Sequence, residues 1–246
     1  MRTFLLPPLL LPLLGACRMT PGVEVSVAAF APVFGGDAQQ GAGNPSIDFE
    51  EGLDLEDRDI VPAGSIAVDW VGLRLQVSGF QTKVDGEQVL GSDFGQIPAG
   101  TLVDTEGKLT SLRASIVLAG IDAGVVKIRP GVGVEWVQFD LDADSVLANE
   151  EIDAYAPVPV AVLNGEVELG PVRLVADVAG IYGNYEDLEG TLIDGEATLR
   201  LGIGGPAEIF AGYRYLQADL EGTTSGVPFD VALRLHGPMA GIGIRF

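Results

Sequence analysis

The sequence predicts an all-β protein, an antiparallel up-and-down β-barrel of about ten strands that crosses a membrane. Three observations lead to this fold class. Apolar residues make up 47% of the 246 residues although the formal net charge is −21, which is too apolar for a disordered acidic chain. Apolar and polar residues alternate along most of the sequence, as they do in strands. Short turns rich in Gly and Pro alternate with long acidic segments, the asymmetry that transmembrane barrels show.

The first element is an export signal, predicted over residues 1–16. Arg2 supplies a positive charge, and the apolar run that follows is shorter than the roughly 20 residues a spanning helix needs. Its end, Leu14-Gly15-Ala16-Cys17, resembles a bacterial lipobox, in which Cys17 would be lipidated. The alternative is an ordinary signal that is cleaved after Ala16 and leaves Cys17 unmodified. Residues 17–246 contain no linker, so they are predicted to form a single domain.

The remaining elements are strands, because their apolar residues recur with a period of two. In the segment from Ile193 to Ile203, for example, apolar and small residues share one face and Asp194, Glu196 and Arg200 share the other. Ten segments follow this pattern: 22–34, 63–70, 72–84, 105–119, 124–141, 156–168, 171–186, 191–203, 207–221 and 228–246. The long connections are 35–62, 85–104 and 142–155.

Two features leave eight or twelve strands open. Residues 46–55 alternate weakly and could pair with a neighbour. Asn164-Gly165, a dipeptide favoured in hairpin turns, lies inside one of the ten segments. In the last segment the apolar residues change parity between Leu235 and Ala240. Because proline cannot donate to a strand ladder, we expect a bulge at Gly237-Pro238.

The charged residues of the strands are predicted to point into the lumen. A Lys or Arg on the lipid face would cost about 2–4 kcal/mol at the midplane of the bilayer. We expect these side chains to fill a narrow lumen with salt bridges, and a charged conduit for small ions or solutes is the alternative. The predicted inward set is Glu24, Asp69, Arg74, Arg113, Lys127, Arg129, Glu135, Arg173, Asp177, Asp194, Glu196, Arg200, Arg214, Asp230, Arg234 and His236.

The C-terminal residues carry a resemblance to a known class of proteins. The segment from Leu235 to Phe246 resembles the closing strand of bacterial outer-membrane β-barrels, whose terminal Phe is read by the barrel-assembly machinery. Gly212-Tyr213-Arg214-Tyr215 resembles the strand before it. The resemblance implies a location in the bacterial outer membrane, contact with its lipid and lipopolysaccharide, and Phe246 as the assembly signal. It also implies a structural, surface-interaction or narrow-channel role.

Two other functions compete with this interpretation. One is a lipid-anchored soluble β-barrel that binds an apolar ligand, and the other is a barrel enzyme that acts on envelope lipids. His236 is the only histidine, and no nucleophile stands beside an orienting base in the sequence. We therefore predict no enzyme activity, no catalytic residue, no protein-held metal and no cofactor. The excess of acid excludes nucleic acid as a partner.

The long acidic segments contain two clusters of carboxylates. Such clusters suit Ca²⁺ or Mg²⁺, although neither has the spacing of an EF-hand loop. We interpret them as solvated loops, and divalent cations that bridge these loops to lipopolysaccharide are the alternative. The first cluster is Asp48, Glu50, Glu51, Asp54, Glu56, Asp57 and Asp59. The second is Asp140, Asp142, Asp144, Glu150, Glu151 and Asp153.

Overall fold

The computed structural model describes residues 21–40, 46–48, 59–91, 97–185, 188–224 and 227–246. Within these residues, no helix is long and apolar enough to span a bilayer. The strands are β1 (Gly22–Phe30), β2 (Val33–Gln40), β3 (Ile47–Asp48), β4 (Val61–Trp70), β5 (Leu73–Val89), β6 (Leu102–Val117), β7 (Ile121–Asp122), β8 (Val126–Ser145), β9 (Asn149–Leu169), β10 (Val172–Tyr185), β11 (Leu188–Gly204), β12 (Ala207–Thr224) and β13 (Val227–Arg245).

The strands form one antiparallel sheet that closes on itself. β1 pairs with β4 on one side and with the C-terminal half of β13 on the other. β2 pairs with the N-terminal half of β13, so β1 and β2 together occupy one strand position. β3 and β7 are two-residue additions to β2 and β8. The result is a closed barrel of ten antiparallel strands, which confirms the predicted fold class.

The two ends of the barrel differ in their connections. At one end, called here the turn end, Val71 and Gly72 have φ angles of 49° and 80° and join β4 to β5. Two residues with positive φ form the tight hairpin turn whose twist matches that of paired strands. Phe246 lies at the same end, where its N–H donates to the carbonyl of Val23 at 2.9 Å. The opposite end, the loop end, carries the longer connections, among them residues 90–101.

Several strands extend further toward the loop end than the sequence predicted. β8 continues to Ser145 and β9 begins at Asn149, so the predicted long loop 142–155 is wrong. The alternation persists there, but Phe139, Leu141 and Ala143 face inward while the intervening aspartates face outward. Asn164-Gly165 likewise lies within β9 and forms no turn.

Along each long strand, alternate side chains continue to point inward and outward, but the type of side chain on each face changes at mid-strand. In β5 the outward residues near the turn end are apolar, as at Leu75 and Val77, and farther along they include Lys83. The inward residues change in the opposite sense, from Arg74 to Phe80. The turn-end half is therefore apolar outside and charged inside. The loop-end half is polar outside and has an apolar core, which includes Phe30, Phe34, Phe80, Val84, Leu109, Val137, Phe139, Leu141, Leu216, Leu233 and Leu235.

This exchange corrects the prediction for the last strand. Leu235 and Met239 are both buried, and the pairing of β13 with β12 runs without a register shift. The predicted bulge at Gly237-Pro238 is therefore wrong, because the apparent change of phase is the change from an apolar interior to an apolar exterior. The facing strand is interrupted at Ala31 and Pro32, between β1 and β2, although both strands keep one register with β13. A Cβ atom on Gly237 would lie 2.0 Å from the carbonyl oxygen of Ala31 there.

Candidate functional site: the ion-paired interior

The interior of the turn-end half is filled by buried ion pairs in two groups. The lower group centres on two arginines and two glutamates from four different strands. Arg173 Nη2 donates to both carboxylate oxygens of Glu208 at 3.0 and 2.9 Å. Arg200 Nη1 donates to Glu24 at 2.8 Å and to Glu208 at 2.7 Å. Arg74 and Arg173 each also donate to Glu24 at 3.2 Å, so three guanidinium groups share Glu24 and two share Glu208. These shared carboxylates tie opposite walls of the barrel together.

A rim of further pairs surrounds the lower group toward the turn end. Arg74 donates to Asp69 at 2.8 Å, and Arg129 donates to Glu166 at 2.9 Å. Near the mouth of the barrel, Glu168 accepts hydrogen bonds from Lys127 and from Arg245, each at 3.2 Å. Four of these side chains are more exposed than the lower group, so water screens them more strongly; they are Asp69, Lys127, Glu168 and Arg245.

The upper group lies closer to the apolar core. Arg113 pairs with Asp177 at 2.8 Å and with Asp194 at 3.2 Å. Arg214 pairs with the same Asp194 at 2.7 Å, and its guanidinium carbon lies 4.6 Å from the centre of the Phe80 ring. Arg214 therefore joins the charged layer to the apolar layer, with an ion pair on one side and an aromatic face on the other.

Acidic and basic side chains are present in nearly equal numbers inside the barrel. A buried charge is tolerated only when it is paired and hydrogen-bonded, and the pairs here follow that rule. Most of the net charge of −21 therefore belongs to residues outside the ion-paired interior. The inward charged side chains that form salt bridges are Glu24, Asp69, Arg74, Arg113, Lys127, Arg129, Glu166, Glu168, Arg173, Asp177, Asp194, Glu196, Arg200, Glu208, Arg214 and Arg245.

Side chains fill the described interior at both levels. A polar cavity of about 20 Å³ between the two ion-pair groups is lined by Glu24, Arg113, Asn164 and Asp177. That volume suits about one water molecule. Above it, Leu109 and Phe139 belong to the buried apolar core. An ion that entered from the turn end would meet first the salt bridges and then this core.

The structure brings most of the predicted lumen residues together but places three of them elsewhere. Asp230 and Arg234 are exposed on the outer face of β13, and His236 lies beside them on the same face. The lumen assignment of these three residues is wrong, because it assumed that polar side chains face inward along the whole strand. The Tyr213 hydroxyl and His236 Nδ1 instead form a hydrogen bond of 2.7 Å on that outer face.

Glu135 lies inside as expected, fully buried, and it accepts a hydrogen bond from Ser111 at 3.0 Å. The sequence reasoning missed four interior charges, namely Glu166, Glu168, Glu208 and Arg245. Their parity could have revealed them, since each alternates with an outward residue in its strand, such as Ile209 beside Glu208.

The outer face of the turn-end half forms a continuous apolar belt. Near its edge toward the loop end, the rings of Trp136 and Tyr155 stack with centroids 5.7 Å apart. Tyr182, Tyr213 and Tyr215 are also exposed on the outer face. Aromatic residues at this level are typical of the girdles that flank the lipid-facing band of membrane barrels. Exposed members of the belt include Val25, Val27, Ile66, Leu75, Val77, Leu112, Ile116, Val132, Val134, Leu163, Leu174, Val178, Leu199, Ile209, Ile242 and Ile244.

Beyond the belt, β5, β6, β8 and β9 carry acidic side chains in register on their outer face. We call these residues the acidic terrace: Asp85, Glu87, Asp104, Glu106, Asp140, Asp142, Asp144 and Asp153. Burial, a hydrogen bond with Asp140 and the negative charges of Asp140 and Asp142 raise the pKa of Asp153.

In the part of the chain that the structure describes, no group of three or more acidic, His or Cys side chains could hold a metal ion. Of the first acidic cluster only Asp48 and Asp59 are described, so cation binding there stays a prediction.

The structure superposes on the outer-membrane protease OmpT from Escherichia coli with a TM-score of 0.59 at 9% sequence identity, covering 92% of this chain and 97% of that one. The chain has an outer-membrane β-barrel fold. This fold supports the predicted localisation. At such low identity, the likeness to OmpT extends to the fold alone.

Other superpositions are looser. The Pseudomonas putida toluene transporter TodX has a TM-score of 0.38 at 8% identity, with 92% of this chain and 90% of that one covered. Neisserial surface protein A has a TM-score of 0.32 at 16% identity, with 92% and 97% covered. No family model and no curated protein matches the sequence. The export signal and Cys17 lie outside the described residues, and they stay predictions, as does the role of Phe246 in assembly.

Proposed function

We propose that this protein is an integral outer-membrane β-barrel with a sealed lumen, and that it has a structural or surface-interaction role. The exchange of chemistry between the two faces of each long strand carries the proposal. In the turn-end half, apolar side chains face outward and charges are buried, which is the arrangement that a bilayer requires. In the loop-end half the arrangement is that of a soluble β-protein, with a polar surface over an apolar core.

On this proposal, the turn-end half lies in the membrane and the loop-end half lies above the outer leaflet. The protruding half offers surface for interaction, and the acidic terrace covers one side of it. The opposite side carries Arg234, His236 and the two tyrosines Tyr213 and Tyr215. A partner that approaches from outside the cell would therefore meet two chemically different faces.

The narrow-channel role has less support than the surface role. Salt bridges at one level and apolar side chains at the next both block the interior, and ions need a continuous polar path to pass. A lipid-anchored soluble barrel would expose the whole apolar belt to water, far beyond the few hundred Å² that soluble monomers usually tolerate. We also propose that the protein is not an enzyme. His236 faces outward whereas the serine Ser115 is buried inside, so the two side chains lie on opposite sides of the barrel wall.

The experiment measures which positions of β5 face water, lipid or the core. Lys83→Cys, Val77→Cys and Val84→Cys are introduced separately into a Cys17→Ser chain and expressed in a Gram-negative host. A membrane-impermeant maleimide added to intact cells is expected to label position 83, which is outward and beyond the belt. Position 77 should stay unlabelled in lipid, and position 84 should stay unlabelled in the core. Equal labelling of positions 77 and 83 would contradict the proposal.

A further inference from the structure

A groove in the apolar belt lies directly below two lysines. Gly64 and Gly79 are opposite each other in the β4–β5 pairing, and both stand at outward positions. Because neither has a side chain, the wall there is recessed into a groove of about 480 Å³. Its apolar walls come from Val25, Val27, Ile66, Val77 and Leu112. Since the groove opens within the belt, the bilayer must supply whatever fills it.

The positions above the groove become polar and then positive. Two residues beyond Gly79 in β5, the Gln81 side-chain amide donates to Thr110 Oγ1 of β6 at 2.9 Å. Two residues farther, Lys83 and Lys108 are directly opposite each other in the register. These two lysines stand on the outer face of β5 and β6, where the other charged side chains of the loop-end half are acidic. They lie at the edge of this acidic surface that is nearest the apolar belt.

Like charges directly opposite each other on a sheet destabilise it unless something neutralises them. Lys83 contacts Glu106, but the nearest carboxylate oxygen to Lys108 Nζ lies 3.9 Å away on Asp140, at the limit of an ion pair. The side chains of both lysines remain partly exposed, and long lysine side chains can extend toward a membrane interface. An anion at headgroup level would therefore lie between the two ammonium groups and beside Gln81 and Thr110. Its neighbouring carboxylates would be Glu106 and Asp140, which pair with the two lysines.

We propose that this surface binds one phosphate-bearing lipid of the outer leaflet, with its phosphate between Lys83 and Lys108 and an acyl chain in the groove at Gly64 and Gly79. The three levels of the surface match the three parts of such a lipid. The groove matches an acyl chain, the neutral polar pair matches the glycerol or sugar, and the pair of lysines matches the phosphate. The proposal rests on the proposed membrane location, and it names the lipid contact that this location allows.

The test uses the full chain in detergent micelles and native mass spectrometry to measure retained lipid. The probe is diphosphoryl lipid A, and inorganic phosphate is the competitor. Phosphatidylcholine is the comparison lipid; its choline neutralises its phosphate, so it should be retained less than lipid A, and equal retention would contradict a site built on the two lysines. The double variant Lys83→Gln/Lys108→Gln is expected to weaken lipid A retention roughly 30-fold. Gly64→Val should weaken it by filling the groove, because a Cβ atom there meets no atom closer than 3.4 Å and the strand can accept it.

Matched controls on the opposite wall separate the site from general effects. Arg234→Gln removes an exposed cation, and Ala211→Val enlarges an exposed outward residue of the belt; both should retain lipid A as the unmodified chain does. Equal losses in these controls, or unchanged retention in the lysine double variant, would overturn the lipid site. Displacement of lipid A by millimolar inorganic phosphate would also overturn it, because the groove would then contribute nothing.

Every protein is first checked for heat-modifiable migration in gels. An unmodified chain that never gives the compact, heat-modifiable form would contradict the proposed membrane barrel itself. A compact chain that fails only in lipid retention contradicts the lipid site alone.

Discussion

Arg214 lies where the charged and apolar layers of the interior meet, and its side chain is almost fully buried. It bonds Asp194 through two nitrogens and lies over the Phe80 ring. Without it, Asp194 would keep Arg113 as its remaining cation. Truncating one partner of a buried pair is costly because the other charge stays buried.

We therefore expect Arg214→Met to lower the free energy of unfolding by about 3–5 kcal/mol. Urea unfolding of the barrel in detergent micelles or lipid vesicles measures the change. Arg234→Met is the matched control, since Arg234 is exposed on the outer face and its loss should change the free energy by no more than about 0.5 kcal/mol. Similar losses from both variants would mean that burial does not govern the effect.

Asp153 provides a pH-dependent prediction on the acidic terrace. Burial and the neighbouring Asp140 raise its pKa in the folded barrel. The folded state therefore holds this proton more tightly than the unfolded state, and stability falls as pH rises through the ordinary aspartate pKa and up to the raised one. Asp153→Asn is expected to raise the midpoint of thermal unfolding at pH 7, and the difference should vanish at pH 3. A difference that is constant across pH would argue against this cause.

At this scale the sequence located most of the interior charges of the turn-end half. The alternation of side chains alone placed Arg113, Arg173 and Arg200 inside. A charged residue between apolar neighbours avoids the energetic cost of facing lipid only by pointing into the lumen. The same rule failed at Arg234 and His236. At those positions the outer face meets water and the inner face meets the apolar core. The alternation of polar and apolar residues does not indicate whether lipid or water surrounds a strand.

Among the elements, β13 shows why strand polarity is harder to predict than strand position. The sequence located this strand and its C-terminal Phe246. It misread the change at Gly237-Pro238 as a bulge, because it expected one kind of exterior along the whole strand. The predicted loops 85–104 and 142–155 were too long for the same reason, since rows of outward aspartates such as Asp142 and Asp144 resemble solvated loops.

The close approach at Gly237 gives a prediction for this element. Any Cβ there would collide with the Ala31 carbonyl, which belongs to the short link between β1 and β2. Gly237→Val is expected to reduce the yield of heat-modifiable barrel after refolding from urea, because the closing strand pair could not form. Ala240→Val changes an exposed outward residue of the same strand and should refold normally. Equal yields for the two variants would contradict the steric explanation.

For the whole molecule, the two filled layers predict that the barrel does not conduct. Planar bilayers containing the unmodified chain should show no steady ion current. The double variant Arg173→Ala/Arg200→Ala opens the lower group but leaves the apolar core intact, so it too should stay closed. A steady current from the unmodified chain would contradict the sealed lumen and favour the channel role.

The strand number of ten followed from counting alternating segments, and closure followed from the need of every backbone group for a partner in lipid. The height of the barrel above the bilayer could not be counted in the same way. This height depends on where each strand stops facing lipid. That point becomes visible only when neighbouring strands are placed in register, so that Phe80, Leu109 and Phe139 are seen to share one buried core.

At mid-strand the inward side chains change from charged to apolar and the outward ones from apolar to polar. This crossover restricts where residues can be inserted or deleted. Successive residues of a strand point to opposite faces, so removal of one residue at the crossover of β5 would turn the whole loop-end half over. Phe80 and Val84 would then face water, and Lys83 would enter the core. A deletion within residues 90–101 would reverse no strand. In related sequences we expect insertions and deletions to collect in the connections, and the spacing across the crossover to be kept even where the residues themselves differ.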